Sequence, residues 1–239
     1  MKLPTETQVQ WAVAIFLALI AGYVDGYGLL FLGVYVSFMS GNTTFTGLRS
    51  GQQDFHAALA PAIAIVFFAT GSFLGNLLTQ SRLRYSHRLI FGLIAGLFAT
   101  IVGLERHGPW NAPAEIAMLS LAMGMMNPAL SRIGAEVVTV TFMTGTLMRI
   151  GSHLASAAGR KPLPGAQGPG DSHLARAGIE ASIWAGFLVG AVLSGIAGSH
   201  FRIWVLLPPC FVMIGLGLFS ESPNPEKTIS PLSAGRIYR

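Results

Sequence analysis

Charge is what this sequence has least of. Only 10% of its 239 residues are charged, against roughly 25% in soluble domains. A water-facing surface for a chain of this size is therefore excluded. Cysteine occurs once, at Cys210 inside an apolar run, which excludes a disulfide framework and a cysteine-built metal cluster. Cys210 reads as a small buried apolar side chain. There is no GxSxG, HExxH, phosphate-cradling loop or pair of catalytic carboxylates, so the chain is not expected to be an enzyme or to hold a cofactor. The histidines (His56, His87, His107, His153, His173 and His200) lie in or beside connectors, never two at metal-ligand spacing. They read as solvated or interfacial groups. A formal charge of +5 does not point to nucleic acid, because the basic residues fill short gaps between apolar runs, with no basic stripe or interleaved aromatics.

What is abundant is apolar sequence. Hydrophobic residues make up 52% of the chain, with 29 glycines and a mean hydropathy of +0.58. Membrane helices carry more glycine than soluble ones. Six strong apolar runs stand out: Val9–Leu32, Ala57–Leu78, Leu89–Leu104, Ala114–Leu130, Ala177–Gly198 and Ile203–Phe219. A span needs about 20 residues, so Leu89–Leu104 must borrow flanking residues such as Arg88, whose head can snorkel to the interface. The first run is longer than a signal-peptide core, holds Asp25 and lacks a cleavage pattern, so it reads as a span. Trp11, Trp110 and Trp204 fall at or near run ends, where interfacial belts place tryptophan. The runs do not alternate, so the fold class is all-α, a polytopic helical bundle in a lipid bilayer.

Two further segments, Gly33–Leu48 and Ile133–Ala158, are semi-polar, and comparing them exposes a repeat. Ser37–Gly41 reads SFMSG and Thr141–Gly145 reads TFMTG; each follows a long apolar run and precedes two more. Gly71 and Gly75 form a GxxxG in the first half, as Gly186 and Gly190 do in the second. Such faces serve close helix packing or homo-oligomer formation. The chain divides into membrane repeats 1–107 and 108–220, with a flexible connector at Gly159–His173 and a polar tail, 221–239. Basic residues concentrate in Gln80–Arg88, Arg149–Arg176 and the tail. Placing all of them in the cytoplasm requires each semi-polar segment and the run before it to make one net crossing. Both termini are then cytoplasmic, and two inverted three-crossing repeats give about six crossings, each repeat with a broken or re-entrant segment.

The stretch Ala21–Thr43, AGYVDGYGLLFLGVYVSFMSGNT, and the stretch Met123–Leu147, MGMMNPALSRIGAEVVTVTFMTGTL, resemble the paired signatures of the YoaK-like bacterial membrane proteins, a family of unknown function. The resemblance covers nearly the whole chain. At Met126 and Pro128 this sequence departs from the glutamine and alanine of that pattern. The resemblance implies a bacterial inner-membrane protein of about six spans and supplies no substrate.

Candidate site residues follow from cost. Asp25 is the one acid well inside a strong apolar run, and an intramembrane carboxylate costs at least about 2.5 kcal/mol at a helix centre. Two readings stand for it, a functional carboxylate or a merely structural one that lies near the outer interface or has an internal partner. Ser40, Gly41, Asn42 and Thr43, with Thr144, Gly145 and Thr146 in the second half, lie where a helix can unwind and offer amides and hydroxyls to an ion or small molecule; helix capping is the other reading. Asn127 and Pro128 end a run, with Asn127 placed to satisfy backbone groups freed by the proline. Arg132 is either a cytoplasmic topology anchor or a partner for an acid in the core, and Glu136 is similarly open. Asp25 lies sixteen residues before Gly41 and Arg132 thirteen before Gly145, near-equivalent places that an inverted two-fold could bring together. Two functions fit: a small transporter or permease, ion- or proton-coupled, or a non-transporting scaffold or assembly protein.

Overall fold

The computed structural model describes residues 5–81, 83, 85–105, 111–129, 132–133, 136–137, 141–164, 166 and 170–219. The first run becomes α1 (Thr5–Tyr27), continued by a π-helical turn at Gly28–Leu32. Neither proline nor a charged residue interrupts it between Val9 and Val24. It stops at Gly33, whose φ of 70° is left-handed and suits glycine alone at no cost. After a reversal over residues 33–38 come α2 (Met39–Gly51) and α3 (Phe55–Gln80), the latter capped by the Asp54 carboxylate accepting from the Ala57 N–H at 3.1 Å. Next come α4 (Ser86–Glu105) and α5 (Ala112–Ala129). A short antiparallel pair, β1 (Arg132–Ile133) and β2 (Glu136–Val137), sets Arg132 opposite Val137. The chain ends in α6 (Met143–Ala158), α7 (His173–Phe201), a 3-10 turn at Arg202–Leu206 and α8 (Leu207–Phe219).

Among the described residues four segments are long and apolar enough to cross a bilayer: Val9–Leu32, Phe55–Gln80, Ser86–Leu104 and His173–Phe201. The third gains the flanking turn that the run Leu89–Leu104 lacked. At 18 residues, α5 is about 27 Å long, and Trp204–Leu218 forms a shorter apolar helix. Large apolar side chains such as Phe73, Leu77, Val192, Ile196 and Phe211 point outward, which suits a surface solvated by lipid. The core is equally apolar: Leu17 and Val24 of α1, Ile94 and Phe98 of α4, Met123 and Met126 of α5, and Met213 of α8 pack as one cluster.

Packing crosses between the halves. α1 lies along α7 and α3 along α5, each pair parallel, since Gly186, Gly190 and Ser194 meet Ile15, Leu19 and Gly26 in that order. Likewise Gly71 and Gly75 meet Leu121 and Met125. Backbones touch at these crossings. Any side chain on Gly190 would strike the Leu19 carbonyl, and any on Gly71 the Leu121 carbonyl. The glycine pairs are thus used inside the chain. Their register also corrects the repeat: Gly22 meets the Phe187 carbonyl and Gly124 the Phe68 carbonyl, so Phe68-x-x-Gly71 matches Phe187-x-x-Gly190. Gly71 corresponds to Gly190, one helical turn from the Gly186 that matching the two GxxxG pairs selects. α4 and α8 pack antiparallel, Ala95 beside Cys210 and Arg88 beside Gly217. The Tyr27 hydroxyl donates to Glu115 Oε1 at 2.6 Å, so the end of α1 and the start of α5 share one end of the bundle. The other end holds the starts of α1, α4 and α7.

Candidate functional site

Each half is built around a helix break, and the same chemistry fixes both. Past Gly33 the chain folds back along α1. The N–H groups of Val36 and Ser37 donate to Asp25 Oδ1 at 2.8 and 2.7 Å, and the Ser37 hydroxyl donates to Oδ2 at 2.8 Å. Asp25 is 4% exposed. Its charge is therefore met by three donors from the segment that its own helix releases, which is how a buried carboxylate becomes tolerable. From the other side Asn42, also buried, donates to the Tyr35 carbonyl at 2.6 Å. Irregular backbone at this depth is thus satisfied within the protein.

In the second half the Thr141 hydroxyl donates to Asn127 Oδ1 at 3.1 Å. Gly22 and Gly124 occupy equivalent crossings, so three residues further on Asp25 corresponds to Asn127. This corrects the matching of Asp25 with Arg132. Counting back from the pentapeptides misleads because the two breaks differ in length. Arg132 has its backbone in β1; its side chain, that of Glu136, and with them the pairing of Arg132 with Asp25 lie outside the described residues. The pentapeptides themselves match closely: Phe38 (φ −89°, ψ 76°) and Phe142 (φ −93°, ψ 66°) precede the first turns of α2 and α6. Their rings lie against Gly41 and Gly145. Yet α2 packs on α3 and α6 on α7, so the two pentapeptides serve separate halves instead of facing one another.

The remaining candidates divide by burial. Thr146 is buried, while Ser40, Thr43 and Thr144 are exposed. Thr43 donates to the Met39 carbonyl and Thr44 to the Ser40 carbonyl, the local bonding that hydroxyls make in helices.

A cavity of about 300 Å³ lies beside the first break, lined by Leu32, Val34, Tyr35, Asn42, Phe45, Arg49 and Pro61 among others. Asp25 stands behind it and is not part of its lining. The equivalent place in the second half is occupied. Arg149 grips Glu180 through Nε at 2.8 Å and Nη2 at 3.1 Å, and Nη2 also reaches the Thr146 hydroxyl at 3.2 Å. Beside it Arg176 is paired with Asp171 at 2.8 Å, and His153 Nδ1 lies 3.0 Å from His173 Nδ1. Sequence reasoning missed this cluster, reading the arginines as topology anchors and the histidines as solvated. Its partners lie 31 and 20 residues apart across the connector, and no local spacing signals that. Among the described residues no three potential ligands gather to hold a metal ion.

A bundle of long apolar helices with two inverted, broken-helix repeats defines a multi-pass transmembrane protein. Residues 13–219 match a family described as protein of unknown function DUF1275. The chain belongs to that family. It is also 30% identical over 151 residues to the UPF0700 transmembrane protein RA0705 of Rhizobium meliloti (strain 1021). That alignment covers 62% of this chain, and the chain spans 63% of the relative's length. No solved structure matches.

Proposed function

We propose that this protein is a small transporter or permease of the bacterial cytoplasmic membrane, with both termini in the cytoplasm. The observation that carries the reading is the cavity between a broken helix and α3, set in one of two inverted repeats. Secondary transporters bind substrate against such interruptions, where backbone amides and carbonyls are free of regular helix. A proton suits the role of coupling ion, since protonating Asp25 weakens its hold on Val36 and Ser37 and so loosens the break. Orientation is supported by Arg88, Arg160, Lys161 and Arg176, which belong to the end of the bundle where α1 begins. Reporter fusions after Phe55, Arg84, Arg106 and Gly165 should read out, in, out, in; a periplasmic reading at Gly165 would overturn the arrangement.

A scaffold or assembly role is the second reading, favoured by the apolar core packed between the two breaks. Reconstitution separates the two. Proteoliposomes holding the transporter accumulate some member of a metabolite pool above empty liposomes, and filling the cavity from Ala60, which lines it on α3, with Ala60→Trp abolishes uptake. No uptake, together with unaltered behaviour of the folded Ala60→Trp protein in cells, would favour the scaffold.

A further inference from the structure

We infer that the cavity beside the first break binds a small organic anion, a monocarboxylate whose charged end lies at Arg49 and whose apolar body enters between the break and α3. This deepens the transporter reading and relies on it only for the steps after binding. The second half reveals what the same space can hold. By the register of the crossing helices Pro61 corresponds to Glu180, and by the match of the two pentapeptides Asn42, Phe45 and Arg49 correspond to Thr146, Arg149 and His153. The second half fills the space itself: Glu180 supplies a carboxylate, and Arg149 binds it with two hydrogen bonds while donating a third to the Thr146 hydroxyl. In the first half both members of that ion pair are replaced by apolar residues, Pro61 and Phe45, and a cavity remains. An arginine persists one turn along α2 at Arg49 and borders the cavity.

Arg49 is weakly committed. Its nearest carboxylate, Asp54, is 4.0 Å away with both side chains nearly half exposed, and its contact with Gln52 is 3.4 Å. An exposed pair of that geometry contributes little, whereas a bidentate carboxylate matches the guanidinium fork. The rest of the lining is mostly apolar, with Leu32, Val34, Phe45 and Pro61, and Asn42 provides a buried polar group. One cation at the rim, an apolar interior and one amide select a ligand with a single negative end and a compact hydrocarbon body. A volume of about 300 Å³ is at the small end for ligand cavities, which fits a metabolite better than a lipid.

The test uses full-length protein in nanodiscs, titrated with sodium hexanoate, benzoate and phenylacetate, and with hexylamine and phenethylamine as size-matched cations. We expect the carboxylates to raise the melting temperature and the amines to leave it unchanged. Arg49→Gln should weaken carboxylate binding by at least about tenfold, with partial rescue by Arg49→Lys. Asp54→Asn, which removes the competing carboxylate, should tighten it. Melting curves without ligand report whether each variant folds, and Ala60→Trp offers a second route by blocking the cavity. Equal binding of the amines, or carboxylate binding indifferent to both Arg49→Gln and Ala60→Trp, would overturn the site. So would stabilisation by phosphatidylglycerol in the nanodisc with none by the soluble acids, which would make the cavity a lipid seat. Uptake measured in parallel keeps the two ideas apart. Arg49-dependent binding without uptake leaves the anion site and removes transport. Uptake of a non-acidic metabolite, unchanged in Arg49→Gln, removes the site and leaves transport.

Discussion

Asp25 illustrates how much a single residue's meaning depends on what surrounds it. In the sequence it is an isolated acid in an apolar run; in the fold it accepts three hydrogen bonds and ties the returning chain to α1. Asn127 does the equivalent work without a charge, accepting from Thr141. Two substitutions therefore separate charge from hydrogen bonding. Asp25→Asn keeps an acceptor for the two amides but loses the charge, so it should loosen the break and lower the melting temperature by clearly less than removal of the acceptor does. Asp25→Ala strands buried donors, each costing about 1–3 kcal/mol, and should lower the melting temperature of the purified protein markedly. If the asparagine variant fails as badly as the alanine, the negative charge itself holds the break. Glycines supply a second contrast at this scale. Gly190→Ala drives a Cβ into the Leu19 carbonyl, where only backbone movement can relieve it, and should cost about 1–3 kcal/mol. Gly96→Ala meets open space and should be silent or slightly stabilising in the same melting assay.

At the scale of elements, the apolar runs announced the long helices, because a bilayer demands uninterrupted hydrophobic length and little else. The breaks were legible too, from hydroxyls and glycines concentrated in otherwise apolar sequence. Other features had no local signature. A Gly-x-x-x-Gly can be laid on its counterpart in either of two adjacent turns, and only contact with the Phe68 and Phe187 carbonyls chooses between them. The clasp between α6 and α7 was hidden because three residues join α2 to α3 while fourteen join α6 to α7, so the halves fall out of step beyond the pentapeptides. Arg149 and Glu180 then read as unrelated charges. Their side chains are 23% and 3% exposed, so breaking the pair from one side should be severe. Glu180→Leu alone leaves a largely buried guanidinium and should cost about 3–5 kcal/mol, while the double variant Arg149→Leu, Glu180→Leu should recover most of that loss. A melting series over the single and double variants measures the coupling; simple additivity would show that the clasp holds nothing together.

The whole molecule is interlaced. The first helix of each half lies against the third helix of the other, and all four meet through glycine contacts that admit no side chain. Neither half contains the partner of its own first helix. Expressed separately, residues 1–107 and 108–239 should each fail to accumulate, and expressed together as two polypeptides they should co-purify. Accumulation of either half alone would show that the cross-packing is dispensable.

That interlacing has a consequence for how the chain is made. The groove on α1 formed by Gly22 and Gly26 is filled by Phe187 and Ser194 of α7, which emerge more than 160 residues later. At about 5–20 residues per second, α1 waits in the bilayer for roughly ten to thirty seconds, its glycine face meeting only lipid. During that interval the nascent protein is an incomplete bundle, and a chain that stops before α7 never closes. Membrane quality control should therefore recognise truncations ending near residue 170 far more readily than truncations that remove only α8, a difference that pulse-chase labelling of the two products would measure as a difference in half-life.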